Sequence, residues 1–378
     1  MRILGDRIAL PALASAHSHA FQRGMRGRAQ RPGPAGTDDF WSWRTAMYEL
    51  AASLDPESIY AVSRVAFEEL RRRGVLTVGE FHYVHHQPDG SPYDDRTVMS
   101  DAVIRAALDA RLRIALLRVV YHRAGAGRPP EGAQRRFSDD RLDDALGDVE
   151  ALRARWRAEP RVRIGVAPHS VRAVPPGWLG DIAAFAKDGE LPLHMHVAEQ
   201  PAEIEACLEE TGRRPVELLA DRGVLSSRFV AVHATHLAPH EPELLGEAGA
   251  GVCLCPTTER DLGDGLPDVS ALAAAGVRMS VGVDSHVSTA PLEDLRMVEL
   301  GERLRTKKRV VLRPEGRTLA EHLWAIGSTE GAHACGFEDA GGETFVARGH
   351  ADLALVAEPD LLDAIVFSAQ ADAIMAVG

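Results

Sequence analysis

The segment Ala12-Leu13-Ala14-Ser15-Ala16-His17-Ser18-His19 is a short apolar run that ends in two histidines one residue apart. Residues two apart on an extended strand point the same way. His17 and His19 can therefore bind one metal ion together if the strand ends at an open cavity. Because a His-x-His pair is also common as ordinary surface sequence, the rest of the chain has to decide between the two interpretations.

Seven further apolar runs follow the first, and helical patterns with apolar residues at three- and four-residue spacing lie between them. The eight runs cover residues 12–19, 75–83, 113–122, 161–170, 191–199, 229–236, 251–257 and 278–285. The helical patterns include residues 59–73, 95–112, 140–156, 202–210 and 293–305. Alternating strands and helices require a parallel sheet, and eight units close it. The sequence therefore predicts an α/β fold, a (β/α)8 TIM-type barrel.

The predicted barrel covers residues 12–335 of the 378-residue chain, and residues 336–378 form a small β appendage. Short extended segments at 345–346, 352–356, 364–367 and 374–377 are expected to be its strands. Residues 1–11 precede the first barrel strand. One barrel with small additions accounts for the length.

Composition excludes several classes of function. A formal net charge of −12 argues against nucleic acid or an anionic membrane as a general partner. No run of eighteen uncharged apolar residues occurs, and the N-terminus does not resemble a signal peptide, so a cytoplasmic location is expected. Cys253 and Cys255 share one strand face but lack a second pair, so all four cysteines are expected to be reduced and buried.

Two long loops rich in Gly, Pro and Arg follow the first and third predicted strands, at residues 24–39 and 125–138. Both leave the carboxyl ends of strands, where barrel enzymes carry their catalytic groups. We expect these loops to cover a substrate.

Polar residues mark the ends of most predicted strands: Tyr83, His169, His196 with Glu199, His233 with His236, and Asp284. Such a set is not expected by chance, although a single histidine there would be. A shell of three histidines and one aspartate suits one Zn²⁺ with a position left for water; the candidate ligands are His17, His19, His196 and Asp284. Glu199 could then carry the proton, and His233 could polarise the electrophile.

His194 is a rival ligand, because it lies two residues before His196 on the same strand face. Being one layer deeper in the barrel, it is expected to pack in the core. The fourth strand ends Ala167-Pro168-His169-Ser170, and no lysine that could be carboxylated to bridge two metals lies in any predicted strand. One metal ion per chain is the consequence.

Several motifs together resemble the amidohydrolase superfamily and, within it, the formimidoylglutamate deiminases. They are His17-Ser18-His19-Ala20-Phe21-Gln22, Ala167-Pro168-His169-Ser170-Val171-Arg172, His196-Val197-Ala198-Glu199, Val232-His233 and Asp284-Ser285-His286. The segments at 40–44, 79–86 and 134–137 are more particular to the deiminases. The resemblance runs from about Ala9 to the C-terminus.

This resemblance implies hydrolysis of N-formimidoyl-L-glutamate to N-formyl-L-glutamate and ammonia, a step of histidine degradation. It assigns one Zn²⁺ to His17, His19, His196 and Asp284, and the proton transfers to Glu199, His233 and Asp284. It assigns binding of a small anionic substrate to Gln22, Tyr83, His169, Arg172 and, less directly, Arg44. It also implies a homodimer.

The sequence departs from the family at two places. Only about ten residues precede the first barrel strand, so residues 1–11 are interpreted as the remnant of a small β domain and the appendage as a reduced β-sandwich. Residues 258–261 are Thr-Glu-Arg-Asp where the family tends to have Glu-Ala-Asn. Two alternatives remain open: a purine or pyrimidine deaminase, which would need a flat apolar pocket, and a non-catalytic barrel, which should have lost a ligand or Glu199.

Overall fold

In the computed structural model, the described residues are 1–28, 30 and 40–377, without the side chains of 40–42, 376 and 377. Eight parallel strands pair in chain order to form one curved sheet. They are β3 (Leu13–Ser18), β4 (Val75–His82), β5 (Arg113–Val120), β6 (Val162–Pro168), β7 (Leu193–Val197), β8 (Phe229–His233), β9 (Gly251–Leu254) and β10 (Arg278–Val281). All eight predicted strands, and the predicted barrel, are confirmed.

The first and last barrel strands meet just beyond β10. The amide of His19 donates to the carbonyl of Asp284 at 2.9 Å, and the amide of Asp284 donates to the carbonyl of His17 at 3.1 Å. Gly282 permits this close approach, since a Cβ there would lie 2.7 Å from the Cβ of His17. The barrel therefore closes at the histidine pair itself.

Helices cover the outside of the barrel, and each follows a strand or extends a loop. They are α1 (Phe40–Ala52), α2 (Pro56–Arg72), α3 (Val98–Asp109), α4 (Leu142–Trp156), α5 (Pro176–Asp188), α6 (Pro201–Thr211), α7 (Pro215–Asp221), α8 (Glu241–Glu247), α9 (Pro256–Leu262), α10 (Val269–Ala274), α11 (Pro291–Thr306), α12 (Leu319–Ile326), α13 (Thr329–Ala334) and α14 (Leu361–Phe367).

Local sequence explains where these helices begin. At the start of α2, the Asp55 carboxylate accepts the Ser58 amide at 2.8 Å, and Pro56 follows at the first helical position.

Small side chains and sulfur atoms form a packed cluster with Phe337 inside the barrel. This cluster contains Ala14, Ala16, Ala115, Val230, Val232, Cys253, Cys255, Ala332, Cys335 and Phe337. All four cysteines are free and buried, as predicted. The interior is therefore a packed core below the strand ends, not a channel.

A second, antiparallel sheet combines the two ends of the chain in the order β1 (Arg2–Leu4), β2 (Arg7–Pro11), β11 (Glu343–Ala347) and β12 (Ile374–Val377). The strands predicted at 345–346 and 374–377 belong to it. The strands predicted at 352–356 and 364–367 are wrong.

The first of these segments begins in a 3-10 helix, Ala351–Leu353, and the second lies within α14. Leu361, Leu362, Ile365 and Val366 are the buried residues of α14, and their spacing gives one helical face. So short an apolar run does not distinguish a helix from a strand.

Much of the predicted loop at 24–39 lies outside the described residues, which exclude 29 and 31–39. The predicted loop at 125–138 contains a 3-10 helix, Gly132–Arg136. Arg136 is buried and donates from Nε to the His86 carbonyl at 2.9 Å, which ties this loop to the segment after β4. Among the described residues, no helix is long and apolar enough to cross a membrane.

Candidate metal centre and active site

Three imidazole nitrogens converge at the carboxyl ends of β3 and β7. The Nε2 atom of His17 lies 3.2 Å from that of His19 and 3.2 Å from that of His196. Asp284 Oδ1 lies 3.5 Å from His17 Nε2 and 3.4 Å from His19 Nε2. Ligand atoms about 2.05 Å from a tetrahedral ion stand about 3.3 Å apart. The three imidazoles are close enough together to share a single metal ion, and Asp284 lies beside two of them.

Hydrogen bonds at the opposite ring edges orient two of these imidazoles. His19 Nδ1 lies 2.9 Å from the Phe81 carbonyl, and His196 Nδ1 lies 3.1 Å from the His169 carbonyl. Because a carbonyl only accepts, both Nδ1 atoms carry the proton and both Nε2 atoms present lone pairs. These lone pairs face the same point, which a cation can occupy.

The protonation states agree with a metal site. Burial lowers the pKa of His17 to about 3, against the opposing effect of Asp284, and burial also lowers the pKa of His19 and His196. Burial tends to raise the pKa of Asp284, but the hydrogen bond and charge of His17 hold it below its usual range. Neutral imidazoles and an ionised carboxylate are the forms that bind a metal ion.

His233 and Glu199 lie beside the candidate ligands. His233 Nε2 is 3.7 Å from Glu199 Oε1 and 3.8 Å from Asp284 Oδ2. Burial raises the pKa of Glu199 to about 8, although His233 opposes this effect. Burial lowers the pKa of His233, but Glu199, Glu259 and Asp284 together raise it well above its usual value. The pair can therefore hold and exchange protons near neutral pH.

Two further glutamates support this pair, and the sequence analysis did not assign either to the site. Glu259 Oε1 lies 3.3 Å from His233 Nδ1 and accepts the Cys255 amide at 2.8 Å. Glu203 accepts the amides of Ala198 and Glu199, each at 3.3 Å. Glu259 follows the seventh barrel strand. Since most of the other strand ends supplied candidate site residues, this position could have identified Glu259 from the sequence.

Residues at three strand ends have left-handed backbone conformations. The φ angles are 52° at Ala198, 70° at His233 and 52° at Asp284. Non-glycine residues rarely adopt this region, and its cost of about 1–3 kcal/mol per residue is typical of functional sites. The hydrogen bonds from the backbone amides of Ala198 and Glu199 to the Glu203 carboxylate help to hold the turn at Ala198. They therefore help to fix the direction of the Glu199 side chain.

The predicted substrate-binding residues surround one cavity next to the candidate metal site. Gln22, Arg44, Tyr83, His169 and Arg172 all line it. Gln22 donates from Nε2 to the Tyr83 hydroxyl at 2.8 Å. The structure thus brings together every predicted site residue, while their roles stay predictions.

Aromatic side chains complete the wall, among them Tyr48 and Trp43 of α1, Tyr121 and Phe137. Tyr121 directly follows β5, so its place at a strand end could have identified it. Tyr48 lies on a helix, where no strand-end argument applies. The free volume is about 80 Å³, below the roughly 300 Å³ of typical ligand pockets.

Two other histidines from the sequence analysis lie away from this centre. His194 is buried, and its Nε2 lies 2.8 Å from the Ala334 carbonyl, which agrees with the expected core position. His236 does not line the cavity. A larger cavity of about 740 Å³ lies beside α9 and α11, but none of the described residues that line it is a histidine.

Comparison with known proteins agrees with this site. The model of the amidohydrolase family matches residues 8–377. A formimidoylglutamate deiminase from Pseudomonas aeruginosa is 39% identical over 325 residues, which cover 84% of this chain and 71% of that protein.

Other relatives carry other deaminase names. A 5-methylthioadenosine/S-adenosylhomocysteine deaminase from Archaeoglobus fulgidus is 28% identical over 86% of this chain and 69% of its own length. The crystal structure of an amidohydrolase from Brucella melitensis superposes with a TM-score of 0.88 at 33% identity, covering 98% of this chain and 83% of that one.

Proposed function

The chain belongs to the amidohydrolase family, and we propose that it is a zinc-dependent deiminase that hydrolyses N-formimidoyl-L-glutamate to N-formyl-L-glutamate and ammonia. The observation that carries this proposal is the closeness of a three-histidine candidate metal site, with Asp284 beside it, to the guanidinium groups of Arg44 and Arg172. The 39% identity to a formimidoylglutamate deiminase supports the same substrate.

One zinc ion per chain would be held by His17, His19, His196 and Asp284. Three nitrogen ligands with one carboxylate favour Zn²⁺ over harder ions such as Mg²⁺, which prefer oxygen ligands. When bound, the ion acts as a Lewis acid that activates the hydrolytic water.

The charges of the cavity complement both ends of the substrate. The formimidoyl group is a cationic amidinium, and the ionised carboxylate of Asp284 and the side chain of Glu199 line the cavity where it would react. The substrate's own two carboxylates need cationic partners when they are buried, and Arg172 and Arg44 supply them. A planar guanidinium also matches the fork of a carboxylate.

Proton transfer follows from the contacts of Glu199 and His233. Water adds to the amidine carbon and loses a proton to the ionised form of Glu199. Protonated His233 donates a hydrogen bond to the developing tetrahedral centre. Glu199 then returns the proton to the terminal nitrogen and the carbon–nitrogen bond breaks. Ammonia leaves, the remaining hydroxyl proton passes to the Asp284 carboxylate, and the formyl group remains on glutamate.

An ammonia-release assay on the zinc-loaded protein tests this function. Turnover is expected with N-formimidoyl-L-glutamate and not with adenosine, 8-oxoguanine or S-adenosylhomocysteine. Turnover of a purine substrate with none of the formimidoyl compound would favour the base-deaminase alternative. No ammonia from any of them would favour a non-catalytic barrel.

The remaining parts of the proposal concern the cellular setting. We place the enzyme in the cytoplasm, in histidine degradation, as a homodimer whose partner is this small anionic substrate and neither nucleic acid nor membrane. The net charge of −12 supports the exclusion of polyanionic partners.

A further inference from the structure

The side-chain amide of Gln134 has a fixed orientation at the edge of the cavity. Gln134 is buried in the 3-10 helix Gly132–Arg136, and its Oε1 accepts the Glu131 amide at 2.9 Å. Because Oε1 is occupied by a donor, the Nε2 end faces the cavity wall. There it donates to the hydroxyls of Tyr48 and Tyr121, both at 3.1 Å.

The hydroxyl groups of Tyr48 and Tyr121 accept hydrogen bonds but donate none within the described part of the chain. Tyr121 accepts a second bond, from Arg172 Nη1 at 3.2 Å. Within the described part of the chain, Tyr48 and Tyr121 appear only as acceptors in these bonds, so each O–H is available to donate. Burial and the proximity of Tyr121 raise the pKa of Tyr48 to about 12, which keeps that proton in place.

The position of these hydroxyls relative to the metal centre suits one end of a short ligand. The Tyr121 ring lies 4.9 Å from the His169 ring, and the His169 ring lies 4.9 Å from that of His196, centroid to centroid. The Tyr121 phenol is therefore one imidazole layer away from the candidate ligands. Arg172 and Arg44 are on the same side, and electrostatic contact links them to both tyrosines.

We propose that Tyr48, Tyr121 and Arg172 form a carboxylate cradle, in which two phenol O–H groups and one guanidinium bind a single carboxylate of the ligand. Gln134 is a positioning residue that acts through both tyrosines. This proposal rests on the proposed function, since it names the groups that would hold one of the two substrate carboxylates. The cradle presents only donors, so it selects for an anionic acceptor.

Calorimetric titration of the zinc-loaded protein with N-formyl-L-glutamate tests the cradle without turnover. Tyr48→Phe and Tyr121→Phe should each raise Kd about 10-fold or more, the scale of one hydrogen bond to a charged group. Tyr60→Phe is the matched control, because its hydroxyl bonds the exposed Asp109 instead; its Kd should match that of the parent protein. Thermal melting of each variant confirms folding.

Gln134→Met separates positioning from direct contact. It should weaken binding in the parent protein but add little to a Tyr48→Phe/Tyr121→Phe double variant, because its effect passes through those hydroxyls. In turnover assays the tyrosine variants should raise KM and leave kcat nearly unchanged, as expected when a binding contact is shared by ground and transition states.

Two probes with one carboxylate each complete the experiment. N-formyl-L-norvaline lacks the side-chain carboxylate, and N-formyl-4-aminobutanoate lacks the α-carboxylate. The increase in Kd caused by Tyr48→Phe and Tyr121→Phe should persist for one probe and vanish for the other. The cradle is overturned if the tyrosine substitutions raise Kd equally for both probes, or if they do not raise Kd for N-formyl-L-glutamate. It is also overturned if none of these compounds binds the parent protein. Binding without ammonia release would overturn the proposed function and leave the cradle standing.

Discussion

Glu199 is the residue whose proposed role can be separated most cleanly from metal binding. It lies 3.7 Å from His233 and does not belong to the group formed by the imidazoles of His17, His19 and His196. Glu199→Gln keeps the shape and removes the proton acceptor. We expect zinc content to stay unchanged while kcat falls about 10²–10⁴-fold, measured by elemental analysis and ammonia release.

Glu205→Gln is the matched control, because Glu205 is an exposed glutamate on α6. It should retain full turnover. Normal turnover in Glu199→Gln would assign proton transfer to another group, and loss of zinc would make Glu199 a ligand.

Arg172 provides a test of how the substrate's charge is recognised. Arg172→Lys keeps the charge but loses the planar fork, so kcat/KM for N-formimidoyl-L-glutamate should fall by about 1.5–3 kcal/mol with zinc content unchanged. Arg135→Lys, at an exposed position on the loop before α4, should have no effect. If the Arg172 variant is as efficient as the parent, Arg172 does not bind a carboxylate.

At the scale of one element, the first turn of α11 contains a buried acid with a displaced pKa. Asp294 is buried, and its carboxyl accepts the Thr257 amide at 3.2 Å. Burial, with smaller effects from Glu293 and Glu259, raises its pKa from 3.8 to about 8. The folded state therefore keeps this proton between about pH 4 and pH 8, where the unfolded chain releases it.

Stability consequently falls as pH rises through that window, because the folded state binds more protons than the unfolded state. Asp294→Asn removes this dependence. The free energy of unfolding of the variant relative to the parent should rise from pH 5 to pH 7.5 by up to about 1.4 kcal/mol per pH unit, measured by urea denaturation. Asp144→Asn, in the exposed first turn of α4, should show no such trend. If the free energy of unfolding of Asp294→Asn relative to the parent does not change with pH, Asp294 is ionised in the folded protein.

Element by element, the sequence predicts the barrel well because two independent patterns coincide at each strand. Apolar runs locate the strands, and polar residues such as His169 and Asp284 mark their carboxyl ends. The short segments at 352–356 and 364–367 lack the second pattern, which is why they were predicted as strands incorrectly. Tyr48 could not be predicted as a cavity residue, nor Gln134 as its hydrogen-bond partner, since their positions depend on how α1 and a loop pack over the barrel.

For the whole molecule, we expect metal binding and stability to be linked. The ion would bind only the folded barrel, so it should stabilise that state by mass action. Elemental analysis of saturated protein should give about one zinc per chain. Chelation should abolish ammonia release and lower Tm, and added zinc should restore both.

His196→Ala and Asp284→Ala should lose metal and activity together, whereas His194→Ala, which removes a histidine bonded to the Ala334 carbonyl, should keep the metal. Two tightly held zinc ions per chain, or full activity after chelation, would contradict a single catalytic zinc.

The closure of the barrel at the histidine pair has a consequence for how the protein is made. His17 emerges from the ribosome early, but Asp284, whose backbone joins that strand to β10, is synthesised more than 260 residues later. Synthesis at roughly 5–20 residues per second separates the two by about 15–50 seconds. A nascent chain therefore carries both histidines long before it can carry the proposed metal site. We expect metal to bind only after Asp284 has been synthesised and the barrel has closed.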